Sequence, residues 1–169
     1  VSEKNKTYFI ADIAANHDGS LQRAKKLIRL CAKAGADAAK FQHFKAETIV
    51  SDYGFKKIGK ITHQKKWKKS VFEVYKDASL DLGWTPILRE TCKDAGISFF
   101  TSPYSFELVD HIDKYVPAYK IGSGDITWIE IVQYIAKKNK PYIIASGASS
   151  LEDVIRAVNS GLEINPNLA

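Results

Sequence analysis

Lys40 and Lys120 each interrupt an otherwise apolar run, a setting in which an unpaired ammonium group is costly. Short polar clusters recur just after such runs: Asp12 and Asn16-His17, Gln42 beside Lys40, Thr101-Ser102, Ser123-Gly124-Asp125, and Ser146-Gly147. Two ammonium groups, several hydroxyls and glycine-lined backbone suit a small ligand that carries both phosphate and carboxylate. Asp12 and Asp125 remain for proton handling or for gripping sugar hydroxyls. Plainer readings stand beside these. The lysines could sit in structural ion pairs, Asp12 could satisfy loop N–H groups, and His17 could cap a turn or pack against a neighbour. Single serines near glycine or proline are ordinary turn chemistry; their shared placement carries the argument.

That placement requires repeating elements. Tyr8 to Ala14 is an apolar run too short for a helix and bounded by Asn16-His17-Asp18-Gly19, which predicts a buried strand. Ser20 stands where an N-cap belongs, Leu21, Ala24, Leu27, Ile28 and Cys31 share one helical face, and Gly35 supplies a stop. The pattern repeats in strands at Asp37 to Phe41, Ile97 to Thr101, Ala118 to Ile121 and Tyr142 to Ala145. Between them lie a helical region from Val71 to Ala95, helices Phe106 to Tyr115 and Trp128 to Lys138, and a last helix capped by Ser150 and ending before Gly161. Five strand–helix units imply a parallel sheet covered on both faces, as an open doubly wound sheet or a barrel. Every polar cluster then falls at the carboxyl end of a strand, the rim where such folds bind ligands.

The chain has 169 residues, 45% of them hydrophobic, enough for a single buried core. Its net charge of +6 is local. Lys56, Lys57, Lys60, Lys65, Lys66, Lys68 and Lys69 crowd one stretch with no acidic residue among them, and without these seven, 18 basic residues face 19 acidic. Such a run reads as a solvated loop or as a lid over an anionic substrate, and nucleic-acid binding ranks below both. Cys31 and Cys92 give neither a disulfide framework nor a CxxC pair. No apolar run reaches the length of a membrane span and no signal-peptide core is present, so the expected location is cytoplasmic.

The motifs resemble one family. Ile10-Ala-Asp-Ile-Ala-Ala-Asn-His-Asp-Gly19 is similar to the opening motif of the sialic acid synthases and of the related legionaminic, pseudaminic and spore-coat sugar synthases. Ala34-Gly-Ala-Asp-Ala-Ala-Lys-Phe-Gln42 resembles their second-strand motif and Thr101-Ser-Pro-Tyr104 the third. Pro117-Ala-Tyr-Lys-Ile-Gly-Ser-Gly-Asp125 resembles the fourth, and Lys140-Pro to Ser146-Gly147 the fifth. The resemblance implies a (β/α)8 TIM barrel of which residues 1–169 form the N-terminal part, about five units, so that the native polypeptide is longer. It implies a reaction in which phosphoenolpyruvate condenses with an open-chain N-acetylmannosamine-like amino sugar to give a nonulosonic acid and phosphate.

Carried over residue by residue, Lys40, Ser102, Lys120, Ser123 and Ser146 match positions that hold phosphoenolpyruvate, with Gln42 beside them. Asp12 and Asp125 match positions near the reacting sugar and water, and Asn16 and His17 line the acceptor side. The resemblance further implies a homodimer and a divalent metal, Mn2+ or Mg2+, whose ligands lie outside this chain. Two departures stand out. Aspartate replaces the family's glutamate at Asp12 and Asp125, withdrawing each carboxylate by roughly 1.5 Å. The loop from Asp52 to Ser70 offers lysines in place of the family's polar acceptor contact, which suits a phosphorylated or acidic acceptor. Two rivals remain: a Schiff-base aldolase using Lys40 or Lys120, and a flavodoxin-like, non-catalytic binding module.

Overall fold

The apolar runs between turn residues become strands in the computed structural model, which describes residues 5–58 and 66–167. They are β1 (Ile10–Ala14), β2 (Ala38–His43), β3 (Ser98–Pro103), β4 (Tyr119–Ile121) and β5 (Tyr142–Ile144). Two parallel ladders form, β1-β2-β3 and β4-β5, and β4 lies alongside β3. Spatial order therefore follows chain order. A flavodoxin-like sheet would place β1 between β2 and β3; here β2 is the central strand of the three, which removes that rival's topology.

Eight helices alternate with these strands among the described residues: α1 (Leu21–Lys33), α2 (Ala46–Ile49), α3 (Asp52–Ile58), α4 (Val71–Ala78), α5 (Thr85–Asp94), α6 (Phe106–Asp113), α7 (Ile129–Ala136) and α8 (Leu151–Ile164). Ser20, Ser70, Ser105 and Ser150 cap α1, α4, α6 and α8, each side chain accepting from a backbone N–H three residues on, which satisfies a donor that the helix cannot. Gly35 and Gly96 take φ of +90° and +72° after α1 and α5, where a side chain would be strained.

Two expectations are corrected. The helical region predicted from Val71 to Ala95 is two helices, because residues 79–84 leave α4 in extended backbone and re-enter through a 3-10 turn at Leu82–Trp84. Asp81 holds that turn by accepting from the Gly83 N–H at 2.8 Å, while Leu80 is buried. Gly161 does not end α8 but lies inside it. A Cβ there would collide with the Tyr142 hydroxyl, so glycine is kept for close approach of β5 to the helix.

The core runs along the strands, where Phe41, Phe99, Tyr119 and Ile121 meet Ile28 of α1, Leu88 of α5, Ile112 of α6 and Ile131 of α7. Cys92 is buried in it and burial pushes its thiol up to about 12, so it packs as a small hydrophobe; Cys31 is half-buried. The lysine run is partly neutralised by acids on either side of it: Lys56 pairs with Asp52 at 2.7 Å and Lys69 with Asp77 at 2.5 Å. Lys57 lies over the Tyr53 ring at 4.7 Å. Lys60 and Lys65 lie outside the described residues. Among those residues no helix is long and apolar enough to cross a membrane.

Candidate active site

Strand alternation sends Phe41 and His43 of β2 into the core, fully buried, and turns Lys40 and Gln42 to the other side. Parallel register sets Asp12 of β1 opposite Lys40 and Ser102 of β3 opposite Gln42. Lys40 Nζ stands 2.9 Å from Asp12 Oδ1, with the lysine side chain 11% exposed and the aspartate 59%. The pair thus straddles the border between interior and solvent. Lys40 does sit in an ion pair, and its partner is another predicted site residue.

Lys120 approaches from β4, its Nζ donating to the Ile121 carbonyl at 2.5 Å. Burial lowers its pKa and the nearby Lys40 ammonium lowers it further, against a smaller upward pull from Asp12 and Asp125. Burial likewise raises the Asp125 carboxyl, which Lys120 partly offsets. Two cations and two carboxylates from β1, β2, β4 and the loop after β4 therefore share one electrostatic neighbourhood. An anion placed beside Lys40 and Lys120 would relieve the repulsion that depresses Lys120.

A cleft of about 660 Å³ opens beside this cluster. Gln42, Ser123 and Asp125 line it, Gly122 and Gly124 bring backbone to its surface, and Phe44, Trp67, Tyr75 and Trp128 supply aromatic walls. Ser123 also touches the turn after β5, 3.5 Å from where a Gly147 side chain would begin. Ser102 is buried on β3, and Ser146 is exposed after β5. Asn16 is exposed and spends its side-chain amide on the Ile13 carbonyl at 2.9 Å.

His17 caps a turn and packs against a neighbour. It is fully buried, its Nδ1 accepts from the Gly19 N–H at 3.2 Å, and its ring meets Trp84 edge-on at 5.7 Å. Burial holds its pKa below the usual histidine range, with Asp18 pulling the other way. Among the described residues, no three His, Cys, Asp or Glu side chains cluster as metal ligands would.

Two polar residues escaped the sequence reading. Tyr104 lines the cleft and accepts from Gln42 Nε2 at 3.1 Å. His43 is buried between hydroxyls, its Nδ1 2.8 Å from Thr101 Oγ1 and its Nε2 2.9 Å from Thr85 Oγ1, which in turn stands 3.0 Å from His111 Nε2. Only the parity of His43 along β2, one residue past Gln42, could have shown that it faces the core.

Comparison with known proteins places this architecture. Residues 27–166 match the profile of the NeuB family. The N,N'-diacetyllegionaminic acid synthase of Campylobacter jejuni is 35% identical over 158 residues, 91% of this chain and 46% of the relative. The pseudaminic acid synthase of the same organism is 34% identical over 153 residues, 89% of this chain and 44% of the relative. The crystal structure of the spore coat polysaccharide biosynthesis protein SpsE of Bacillus subtilis superposes with a TM-score of 0.76 at 27% identity, covering 97% of this chain and 42% of that one. The chain thus spans less than half the length of these relatives, and the match over most of its residues identifies it as a member of the NeuB family, that of the sialic acid synthases whose motifs it shares.

Proposed function

We propose that residues 1–169 supply the phosphoenolpyruvate-binding half of a (β/α)8-barrel synthase that condenses phosphoenolpyruvate with an open-chain amino sugar. The observation that carries this reading is the pairing of two mutually repelling ammonium groups, Lys40 and Lys120, on separate strands beside a hydroxyl-bearing cleft. Strand order that follows chain order supports a barrel wall, and the names of the relatives support a nonulosonic acid product.

Lys40 and Lys120 hold the phosphate and carboxylate, with Ser102, Ser123, Ser146 and Gln42 completing the grip. Fixed donors in a partly dry site cost no reorganisation when charge shifts. The C2–C3 π electrons of phosphoenolpyruvate form the new bond to the aldehyde carbon, whose oxygen gains a proton. Water adds at C2 and gives up one proton, and the C2–O bond to phosphate then breaks as the remaining hydroxyl proton passes to the departing phosphate, leaving a ketone and inorganic phosphate. Asp125, whose carboxyl is raised by burial, is suited to carry a proton between those steps. Asp12, held by Lys40, is suited to receive one from water. The divalent ion that the resemblance implies finds no ligand set among the described residues, and no step is assigned to it.

Incubating the full-length protein with phosphoenolpyruvate, manganese and a panel of amino sugars should release phosphate. Lys120→Ala should cut that rate by about 100-fold or more; undiminished turnover removes the proposed role. The lowered pKa of Lys120 favours a second reading, a Schiff-base aldolase, because a neutral amine is nucleophilic. Borohydride reduction that fixes pyruvate irreversibly onto Lys120 would establish it in place of the synthase.

A further inference from the structure

We infer that the Tyr104 hydroxyl donates a hydrogen bond to a hydroxyl group of the acceptor sugar and so helps select it, an inference that rests on the proposed condensation. Tyr104 is held at three points. Its N–H donates to the His43 carbonyl at 3.0 Å, which extends the β2–β3 pairing one residue past β3. Its ring meets Phe44 edge-on at 6.1 Å, and its Oη accepts from Gln42 Nε2 at 3.1 Å. With that lone pair engaged, the hydroxyl proton needs an acceptor of its own, and Tyr104 donates to none among the described residues.

The cleft offers the place for one. Tyr104 Oη and Asp125 Oδ2 lie 3.3 and 2.6 Å from the point where a Gly122 side chain would begin, so a donor and an acceptor stand near one another on the wall of the cleft. Burial first, then the Asp125 carboxylate, raises the phenol above its usual pKa, so it remains a donor across the working pH range. Neither Lys40 nor Lys120 lines this cleft, whereas Phe44, Tyr75 and Trp128 do. Phosphoenolpyruvate, a multiply charged anion, would sit there off the two ammonium groups assigned to it. A sugar would set hydroxyls against Tyr104 and Asp125 and its C–H faces against the rings.

Tyr104→Phe in the full-length protein keeps the ring and removes only the hydroxyl. The KM for the acceptor should rise about tenfold, well beyond any rise in the KM for phosphoenolpyruvate that follows from loosening Gln42, with the melting temperature unchanged. In a panel of monodeoxy acceptors, one should lose the same factor with the parent enzyme and lose nothing further with the variant. An unchanged acceptor KM, an equal rise in both KM values, or a penalty that persists for every deoxy sugar would each overturn the inference. A parent enzyme that releases no phosphate with any acceptor overturns the condensation itself, and the inference with it; that result is read without the variant.

Discussion

Gly122 has no side chain because the Asp125 carboxylate already occupies the space where one would start, 2.6 Å from the ideal Cβ position. The loop after β4 therefore folds back so that Asp125 shares charge with Lys120 while Ser123 faces the cleft. Substituting Gly122→Ala forces the carboxylate aside. A displacement near 1 Å costs about 100-fold when geometry sets the rate, so kcat for phosphate release should fall by about that factor. The melting temperature should hold, because the contact is with a partly exposed side chain. Equal kcat in the variant would show that the position of Asp125 is immaterial to the reaction. Lys40, Lys120 and Asp12 were legible in the sequence because charge inside an apolar strand demands a partner. Tyr104 was not, since a tyrosine at a strand end is ordinary packing until Gln42 and Asp125 are seen around it. His17 stands in a conspicuous motif, and spacing could not show that its ring faces Trp84.

The strands and most helices could be read from spacing because caps and glycines mark their ends: Ser20 before α1, Ser105 before α6, Gly96 before β3. The break between α4 and α5 could not, as Asp81 makes its turn through one side-chain bond that periodicity does not reveal. The His43 network likewise joins elements far apart in sequence. Thr101 is on β3, Thr85 opens α5 and His111 is on α6, so a single imidazole ties two strands to two helices. A neutral ring satisfies one hydroxyl as donor and the other as acceptor; a protonated one would leave a buried cation. Burial, with His111 and His17 nearby, pushes the His43 pKa from 6.5 down to about 3. Between those values the unfolded chain holds one more proton than the folded chain. Stability should therefore decline as pH falls through that window, by at most about 1.4 kcal/mol per pH unit from this group. Urea denaturation between pH 8 and 4.5 measures it. His43→Gln, which retains a donor and an acceptor, should be less stable at pH 8 but show a shallower acid decline; an unchanged slope would assign the proton elsewhere.

At the scale of the whole molecule, α8 packs on α7 through a face that includes Ala157 and Gly161. Leu151, Ile155, Val158 and Leu162 follow helical spacing on its outer side, with Leu151 76% and Ile155 51% exposed. Ile143 of β5 is also exposed, and among the described residues β1 and β5 each pair along one edge only. Apolar stripes beside unpaired strand edges drive association between copies. Residues 1–169 produced alone should therefore self-associate as concentration rises, visible in sedimentation velocity. Placing opposite charges on the stripe, Ile155→Lys with Val158→Glu, should shift that piece toward monomer. The relatives are more than twice as long as the segment they share with this chain, and in a polypeptide of that length a neighbouring unit would cover the stripe. The same double substitution should then destabilise the longer protein, by about 1.5–3 kcal/mol for each apolar side chain whose burial is lost. Opposite signs in the two settings identify the outer face of α8 as an internal contact of the longer protein; a neutral effect there would mean that the stripe stays in water.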